Sequence, residues 1–579
     1  MSGASTLAGF RLAFGQLCRD GDVDRLSAAQ RDALDEQVGA CVTRGQPIRL
    51  TLPGFPLKSP DRRGRVLGML PDRGEQLALG YLDAFCETVR RFYAPGCVVD
   101  LFSDGLTFFD LLDVRRADAN AYHRALRELV VSRNIVWHSY STVDPSFDRD
   151  GSDVDAALAP YWPADDDKRC DAGGERVAEL TALLAGERQI VLADADPATL
   201  ARLSRAAQRM AERGVALDGF LDAKLPAGLR LTVHAAPHGS KKIPIRLHAG
   251  GGDGALPWRN VLLQKKNGEF AMLSKSQVNQ TVNAALVTKG GEPWYFAEGD
   301  DPILNRCAIS VVHRDDFGLL VEPNADEAGR IDCCALSKDA LATMLRRHGF
   351  VVLRGFRVDD EAALVKFTEQ FGQLYVWKFG PVHKVKPEED ANGYVHSFEA
   401  VPLHWDLSML PLTHPLVQQD EYFSAKMFAL YCKTAPKRGE GMTTLVDARR
   451  IVSQLDAGTL AAWEQTSLTY DTKMTYFGGV PRTFPLIATH PETGEKVLRY
   501  QEGSESTLQR FEVSIATPGT VPDDSVQQIN ALAYAREYLV EHDWVDGDIV
   551  LVDNYSVLHG RRAMSRESAA RELWRVQVY

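Results

Sequence analysis

Strands alternating with helices up to about residue 305, and a run of short strands with turn signals after it, predict an α/β protein in two parts. The first part reads as a layered α/β domain. The second reads as a β-sandwich or jelly roll with flanking helices. A turn-rich stretch, Glu298-Gly299-Asp300-Asp301-Pro302, separates them and puts the domains at 1–305 and 306–579.

Bulk composition narrows the class. At 579 residues the chain is long for one domain. Hydrophobic residues at 45% and charged residues at 25% are those of a soluble globular protein. A net charge of −12 argues against a nucleic-acid partner held by a basic surface. The nine cysteines include no CxxC, so neither a zinc ribbon nor a disulfide framework is indicated, and a reduced, cytoplasmic setting is expected. No apolar run nears the ~18 residues of a membrane span. The first residues lack the charged-then-apolar pattern of a signal peptide. Small molecules, not nucleic acid or membrane, are the expected partners.

The first part opens with helices broken at Arg19–Asp22 and Arg44–Gln46, then a strand at Pro47–Leu52. That strand runs into Phe55-Pro56-Leu57-Lys58-Ser59-Pro60, where prolines forbid regular structure. The loop reads first as a solvated surface; its functional alternative is a stiff anion cradle with Lys58 as ligand. Asp72 is placed to cap a helix striped with Ala78, Leu82, Phe85 and Val89. Val98–Phe102 is a strand ending in Ser103-Asp104-Gly105, and an acid there is a common active-site position in open α/β sheets. A helix around Asp118–Arg133, a strand at Gln189–Ala193 and a helix at Pro197–Arg213 continue the alternation. The acidic stretch Asp165–Lys168 reads as an exposed insertion, and Pro293–Phe296 as the last strand of this part.

In the second part Ser337 caps a helix striped with Leu341, Met344 and Leu345 and closed by Gly349. Phe350–Phe356 is a buried strand and Glu361–Phe371 a second helix. Tyr375, Trp377 and Phe379 alternate as on a strand, either lining a pocket or filling the core. His383, in a loop, and His396 read as surface residues or as neighbours of a site.

His404-Trp405-Asp406 and the distant His559 can together bind one face of an iron(II) ion, leaving positions open for substrate and oxygen. A His-x-Asp pair alone arises by chance in many proteins, so its surroundings decide. Thr443 can donate its hydroxyl to a carboxylate. Arg571 and Arg575, four apart in a strand-like C-terminal run, face the same way. A buried arginine without an anion is costly, so two inward guanidiniums point to anionic ligands.

These features, with Val351-Val352-Leu353-Arg354-Gly355-Phe356, Asp553-Asn554 and His559-Gly560-Arg561, resemble the TauD/TfdA family of iron(II)- and 2-oxoglutarate-dependent dioxygenases from residue 310 or so onward. The resemblance implies a double-stranded β-helix, or jelly roll. It implies His404, Asp406 and His559 on Fe(II), and Thr443 and Arg571 on the distal carboxylate of 2-oxoglutarate. It also implies O2 as co-substrate and leaves Arg575 free for the substrate's own carboxylate.

Five blocks of the first part resemble, in order and spacing, the isocyanide (isonitrile) synthases of the paerucumarin and dityrosine type. They are Phe55–Pro60, Leu70-Pro71-Asp72-Arg73-Gly74-Glu75, Ser103-Asp104-Gly105, Ser240–His248 and Leu256-Pro257-Trp258-Arg259-Asn260. This resemblance implies a Rossmann-like α/β domain that joins an amino acid's nitrogen to one carbon of ribulose 5-phosphate. Lys58, Lys241, Lys242 and Arg246 are then the expected substrate ligands, and Asp104 and His248 the expected proton movers. Glu75 either reaches the site or only complements a helix dipole. The chain departs from the family pattern at Arg259, where a histidine is expected.

Together the resemblances imply a bifunctional enzyme. Its first half makes an isocyanide carboxylate, with tyrosine or tryptophan the favoured amino acid. Its second half oxidises that product by desaturation, with or without loss of the carboxylate, or by hydroxylation. One alternative, prompted by Arg259, keeps only the oxygenase active and makes the first half a substrate-presenting module. Another is a ligand-binding jelly roll without metal.

Overall fold

A computed structural model describes residues 3–162, 174–236, 240–248, 255–281, 283–299, 301–313, 316–391, 393–472, 480–517, 520–522 and 524–579. The chain separates into two compact units: 1–286 with 292–298, and 287–291 with 299–579. No helix among the described residues is long and apolar enough to cross a membrane.

In the first unit β1 (Ile48–Gly54), β2 (Cys97–Ser103), β3 (Ile135–His138), β4 (Leu229–Thr232) and β5 (Ile243–Pro244) form an all-parallel sheet ordered β3-β2-β1-β4-β5. Ile48, Leu50 and Leu52 of the central strand are fully buried, as a parallel strand covered on both faces requires. The strand order reverses between β1 and β4. Open α/β sheets bind ligands beyond the carboxyl ends of their strands at such a reversal. Two further groups complete this stretch: β6 (Val261–Gln264) lies antiparallel to β7 (Phe270–Leu273) and parallel to β9 (Glu292–Glu298), while β8 (Ala284–Lys289) spans the change of unit.

Helix Arg73–Arg90 starts where expected. The Asp72 carboxylate accepts from the Gly74 N–H at 2.8 Å, and Glu75 reaches back to the Asp72 N–H at 2.9 Å, a complete capping box. The expected strand at Gln189–Ala193 does not form. Gln189 adopts a left-handed φ of +55°, residues 192–194 make a 3-10 turn, and Val191 is 62% exposed. That run only bridges two helices, Gly174–Glu187 and Pro197–Lys224, which pack through Leu180, Leu184, Leu203 and Ala207. The second of these helices outruns its expected end because Ala216, Leu217, Phe220 and Leu221 carry its apolar stripe into the main core. The stretch Asp165–Lys168 lies outside the described residues.

The second unit's strands begin with β10 (Cys307–Val311), β11 (Leu319–Pro323), β12 (Phe350–Leu353), β13 (His383–Val385), β14 (Val401–His404), β15 (Met427–Thr434) and β16 (Thr443–Asp447). They continue with β17 (Ser467–Asp471), β18 (Arg482–Pro485), β19 (Ile487–Thr489), β20 (Lys496–Leu498) and β21 (Glu512–Ile515). The last four are β22 (Leu539–His542), β23 (Ile549–Asp553), β24 (Val557–Arg561) and β25 (Glu572–Val578). A large sheet runs β13-β25-β15-β23-β12-β11-β10 and a smaller one β14-β24-β16-β22. Phe428, Leu430, Val550, Val552 and Leu573 of the large sheet meet Leu445, Val540 and Val557 of the smaller one, so the two sheets close a jelly-roll core. Trp405, Leu403 and Leu558 face the other way, into a second core with Tyr470 and Phe484.

Two local expectations change here. Tyr375, Trp377 and Phe379 are not on a strand: Trp377 and Gly380 exchange N–H···O bonds of 3.0 Å each and close a small turn, aided by a φ of +111° at Gly380. His383 is not in a loop but on edge strand β13, opposite Arg575.

Gly105, just after β2, shows how the turns beyond β1 and β2 lock together. A Cβ there would sit 1.8 Å from the Pro56 carbonyl oxygen, whereas one on Gly39, in helix Ala28–Arg44, would meet nothing within 4 Å. Gly105→Ala is expected to cost the first unit about 2–3 kcal/mol in urea denaturation, and Gly39→Ala to stabilise it by ~0.5–1 kcal/mol. Equal effects of the two would contradict this packing.

Candidate metal centre and buried acid cluster

Strand alternation builds the metal centre. Because Leu403 and Trp405 point into the outer core, His404 and Asp406 point to the opposite side. On β24 Leu558 joins the outer core, so Val557 and His559 face inward. His404 and His559 are direct cross-strand partners, with ring centroids 4.2 Å apart. The Asp406 Oδ1 atom lies 3.6 Å from His404 Nε2 and 3.5 Å from His559 Nε2. The three side chains are the inward-facing set that can converge on one cation.

The surroundings of the two histidines leave ring nitrogens available as donors to a cation. His404 Nδ1 lies 2.8 Å from the Pro402 carbonyl, which fixes Nδ1 as the protonated nitrogen and leaves Nε2 available. Burial, and the facing His404 ring, push His559 down to about 4, and neither of its buried ring nitrogens has a hydrogen-bond partner among the described residues. Burial alone would raise the Asp406 carboxyl, but Arg575 and the two histidines overcome it and hold it well below the usual carboxylate range.

Asp406 is held from behind. Gln577 Nε2 donates to its Oδ2 at 2.6 Å and Arg575 to its Oδ1 at 3.2 Å. Asn554 fixes the backbone: its Oδ1 accepts the Asp406 N–H at 2.8 Å, and its amide donates to the carbonyls of Asp406 and Ala425. Arg575 is therefore not the free carboxylate anchor of the sequence expectation. Its other arm donates to His383 Nδ1 at 3.0 Å, and burial together with Arg575 keeps that ring down at about 3. Gln577 and Asn554 are functional neighbours that the sequence reading leaves without a role. Gln577 shares a strand face with Arg575 by period two, which is the signal that points to it.

Arg571 stands apart. It is 2% exposed, yet its Nε and one terminal nitrogen have no partner among the described residues. Burial lowers it only to about 10, so it is charged at neutral pH. It lies against the start of β16, where a Cβ on Gly441 would come within 3.4 Å of its Nε. Thr443, also buried, accepts from the Trp544 indole at 3.1 Å and keeps its own hydroxyl proton to donate. A bidentate anion would satisfy both residues. The donor set of two histidines and a carboxylate fits Fe(II), and the unpaired buried guanidinium of Arg571 fits a carboxylate of 2-oxoglutarate.

In the first unit, the loop after β1 meets the 256–260 block. Ser59 N–H donates to the Trp258 carbonyl at 2.8 Å, and the Phe55 and Trp258 rings pack 5.1 Å apart. Lys58 is fully buried between Asp72 (2.7 Å), Glu75 (2.8 Å) and the Pro257 carbonyl (2.9 Å), so its three donors are already used. It is thus placed as an internal counter-ion rather than a free anion ligand. Lys242 is similarly paired with Asp218, and Arg246 donates to the Cys18 carbonyl beside the N-terminal helix. Lys241 is exposed, and His248 is half-buried with its pKa lowered by that burial. Arg259 donates to buried Glu187 at 2.7 Å.

Asp104 is different. Its Oδ1 is buried without a partner among the described residues, and burial pushes the carboxyl up to about 7. It sits at the carboxyl end of β2, near Tyr122 and Tyr140. Tyr122 donates to Glu75 at 3.2 Å and Tyr140 pairs with Thr107 at 2.8 Å. Glu75 is therefore a fully buried member of this cluster, not merely a complement to the helix dipole.

Two outcomes test these assignments. The stability contributed by protonated Asp104 is complete below about pH 4 and is lost as pH rises through about 7. Urea titrations of the first unit between pH 5 and 8 are expected to fall with pH by roughly 2.5 kcal/mol on account of Asp104, and Asp104→Asn to reduce that slope. An unchanged slope would remove the buried acid. For Arg571→Leu, the ligand-free second unit is expected to keep or gain about 1–2 kcal/mol, because an unpaired buried charge is removed. The same change should abolish the thermal shift with 2-oxoglutarate; a loss of stability without ligand would mean that the guanidinium has a structural partner.

Separate stretches of the chain match two families. Residues 324–577 match the family described as taurine catabolism dioxygenase TauD, TfdA family. Residues 38–151 and 193–287 match the family described as pyoverdine/dityrosine biosynthesis protein. Isocyanide synthase A of Aspergillus fumigatus is 26% identical over 94% of this chain and 93% of its own. Isocyanide synthase xanB of the same organism is 26% identical over 92% of this chain and 75% of its own. The tyrosine isonitrile desaturase of Pseudomonas aeruginosa is 28% identical over 45% of this chain and 87% of its own. The chain is therefore an enzyme fusion, in which a region of the pyoverdine/dityrosine-biosynthesis family, of isocyanide synthase type, precedes a dioxygenase region of the TauD/TfdA family.

Proposed function

We propose that this enzyme makes and then oxidises an isocyanide. The first unit, a Rossmann-like domain in this reading, converts an aromatic amino acid, tyrosine or tryptophan, and ribulose 5-phosphate to an isocyanide carboxylate. The second unit desaturates that product, with or without loss of its carboxylate, or hydroxylates it. The observation that carries the second step is the convergence of His404, Asp406 and His559 in a unit that also holds the unpaired, buried Arg571.

Each residue has a task in this reading. His404, Asp406 and His559 would hold Fe(II), and Thr443 and Arg571 would take the distal carboxylate of 2-oxoglutarate. With O2, the bound metal and co-substrate supply the oxidising equivalents that remove hydrogen from the substrate. Gln577, Arg575 and Asn554 keep the Asp406 carboxylate aimed at the two imidazoles. In the first unit Asp104 exchanges protons near neutrality, where an acid with a pKa of about 7 is most effective. The Tyr122–Glu75–Lys58–Asp72 network lies beside it as an orienting frame. Aromatic rings at Trp377 and Phe379, stacked 5.9 Å apart, offer a surface for an aromatic side chain.

The test separates the halves. Incubated without oxygen or 2-oxoglutarate, the wild-type enzyme, tyrosine or tryptophan and ribulose 5-phosphate are expected to give a product with an isocyanide infrared stretch. Admitting oxygen, Fe(II) and 2-oxoglutarate should then lower its mass by two hydrogens, by those plus carbon dioxide, or raise it by one oxygen. His404→Ala should stop at the isocyanide, and Asp104→Asn should slow its formation at least ~100-fold. If no amino acid yields an isocyanide, the bifunctional reading fails and the first unit is a presenting module.

A further inference from the structure

One hydrogen-bonded path leads out of the metal centre to the aromatic turn. The Gln577 amide donates from Nε2 to Asp406 Oδ2 at 2.6 Å and accepts from the Trp377 indole N–H at 3.0 Å. An ionised carboxylate can only accept and an indole N–H can only donate, so the two ends dictate one orientation of this amide. Gln577 is 2% exposed, so water is not at hand to replace either partner. The backbone repeats the link, since Tyr375 N–H donates to the Gln577 carbonyl at 2.9 Å.

The outer end of the path faces solvent. Trp377 stacks nearly parallel on Phe379, at 9°, and Phe379 is 59% exposed at the tip of the turn closed by Trp377 and Gly380. His383 packs against both rings, 5.8 and 5.3 Å away, and also accepts from Arg575, the second group on Asp406. Two routes thus join the same carboxylate to the same pair of rings.

We propose that Gln577 is a positioning residue that couples the Trp377 turn to the Asp406 carboxylate, so that the state of the metal site and the state of the aromatic surface are linked. The inference rests on the metal-centre reading above. It follows from geometry. When a cation draws on the carboxylate, Oδ2 becomes a weaker acceptor, the Gln577 amide shifts, and the indole N–H hydrogen bond changes with it. Linkage is reciprocal, so an aromatic substrate that moves Trp377 must alter cation affinity by the same factor.

The test reads binding rather than turnover. The full chain, labelled with 5-fluorotryptophan, is titrated with Zn(II), a redox-inert ion, and followed by fluorine NMR and calorimetry. With nine tryptophans in the chain, the Trp377 line is identified by its absence in Trp377→Phe. In the wild type that line is expected to move as Zn(II) binds. In Gln577→Leu it should stay still while Zn(II) binds about 10- to 100-fold more weakly, the usual effect of losing a group that orients a metal ligand. Trp377→Phe, which removes the indole N–H and keeps an aromatic ring, should weaken Zn(II) binding in the same direction and serves if Gln577→Leu does not fold. A Trp377 line that moves equally in Gln577→Leu, or unchanged affinity in both variants, overturns the proposal. If instead His404→Ala binds Zn(II) as the wild type does, the metal centre itself is misassigned and the coupling falls with it. Metal binding lost in His404→Ala, with a wild-type Trp377 line that never moves, overturns the coupling alone.

Discussion

The second unit is organised around a carboxylate taken out of water. An ionised acid as buried as Asp406 costs several kcal/mol unless hydrogen bonds and opposite charge replace its solvent. The fold meets that demand from three directions: Gln577 and Arg575 from β25, the two imidazoles from β14 and β24, and Asn554 at the backbone. These groups come from distant parts of the chain, so the site exists only when both sheets have closed. The left-handed φ of +62° at Leu407, a non-glycine residue immediately after Asp406, is a conformation held by its surroundings, in keeping with a rigid site.

The first unit solves the same problem with the charges reversed. Lys58 is a buried cation with two carboxylates, so the group carries one negative charge more than it balances. Asp72 responds, raised to about 7 by burial. Asp104 is raised equally but has no cation, and its Oδ1 has no partner among the described residues. Gly105, the next residue, lets the β1 and β2 turns approach so closely that a Cβ there would clash with the Pro56 carbonyl.

What was legible in the sequence follows from the range of the interaction. The grouping of His404, Asp406 and His559 was legible because residues two apart on a strand share a face, and the resemblance to the TauD/TfdA family supplied the distant histidine. The Asp72 cap was legible because a capping box is complete within four residues. The fate of Lys58 was not, because its partners include a carbonyl 199 residues away, and nothing local distinguishes a buried counter-ion from a surface anion ligand. Arg575 misled for the same reason: its spacing from Arg571 gives direction but not partner. The false strand at Gln189–Ala193 has the apolar composition of a strand, but among the described residues it pairs with no strand. His383 reads as a loop residue because β13 is three residues long and gains its strand character from β25.

Three arginines near the metal centre show how partner type, rather than burial, sets what a site can bind. Arg561 donates from its terminal nitrogens to the carbonyls of Tyr394, Val395, Ser397 and Glu399, neutral acceptors that leave its charge uncompensated. Arg575 meets the charge of Asp406. Arg571 has neither, and its charge and that of Arg561 repel, each lowered by burial to about 10 and 9 but still protonated at neutral pH. The region around β24 and β25 therefore holds two positive charges without counter-ions beside one neutralised pair. A single carboxylate at Arg571 would balance one of them. Arg571 also lowers Arg561, so an anion seated at Arg571 relieves both guanidiniums at once.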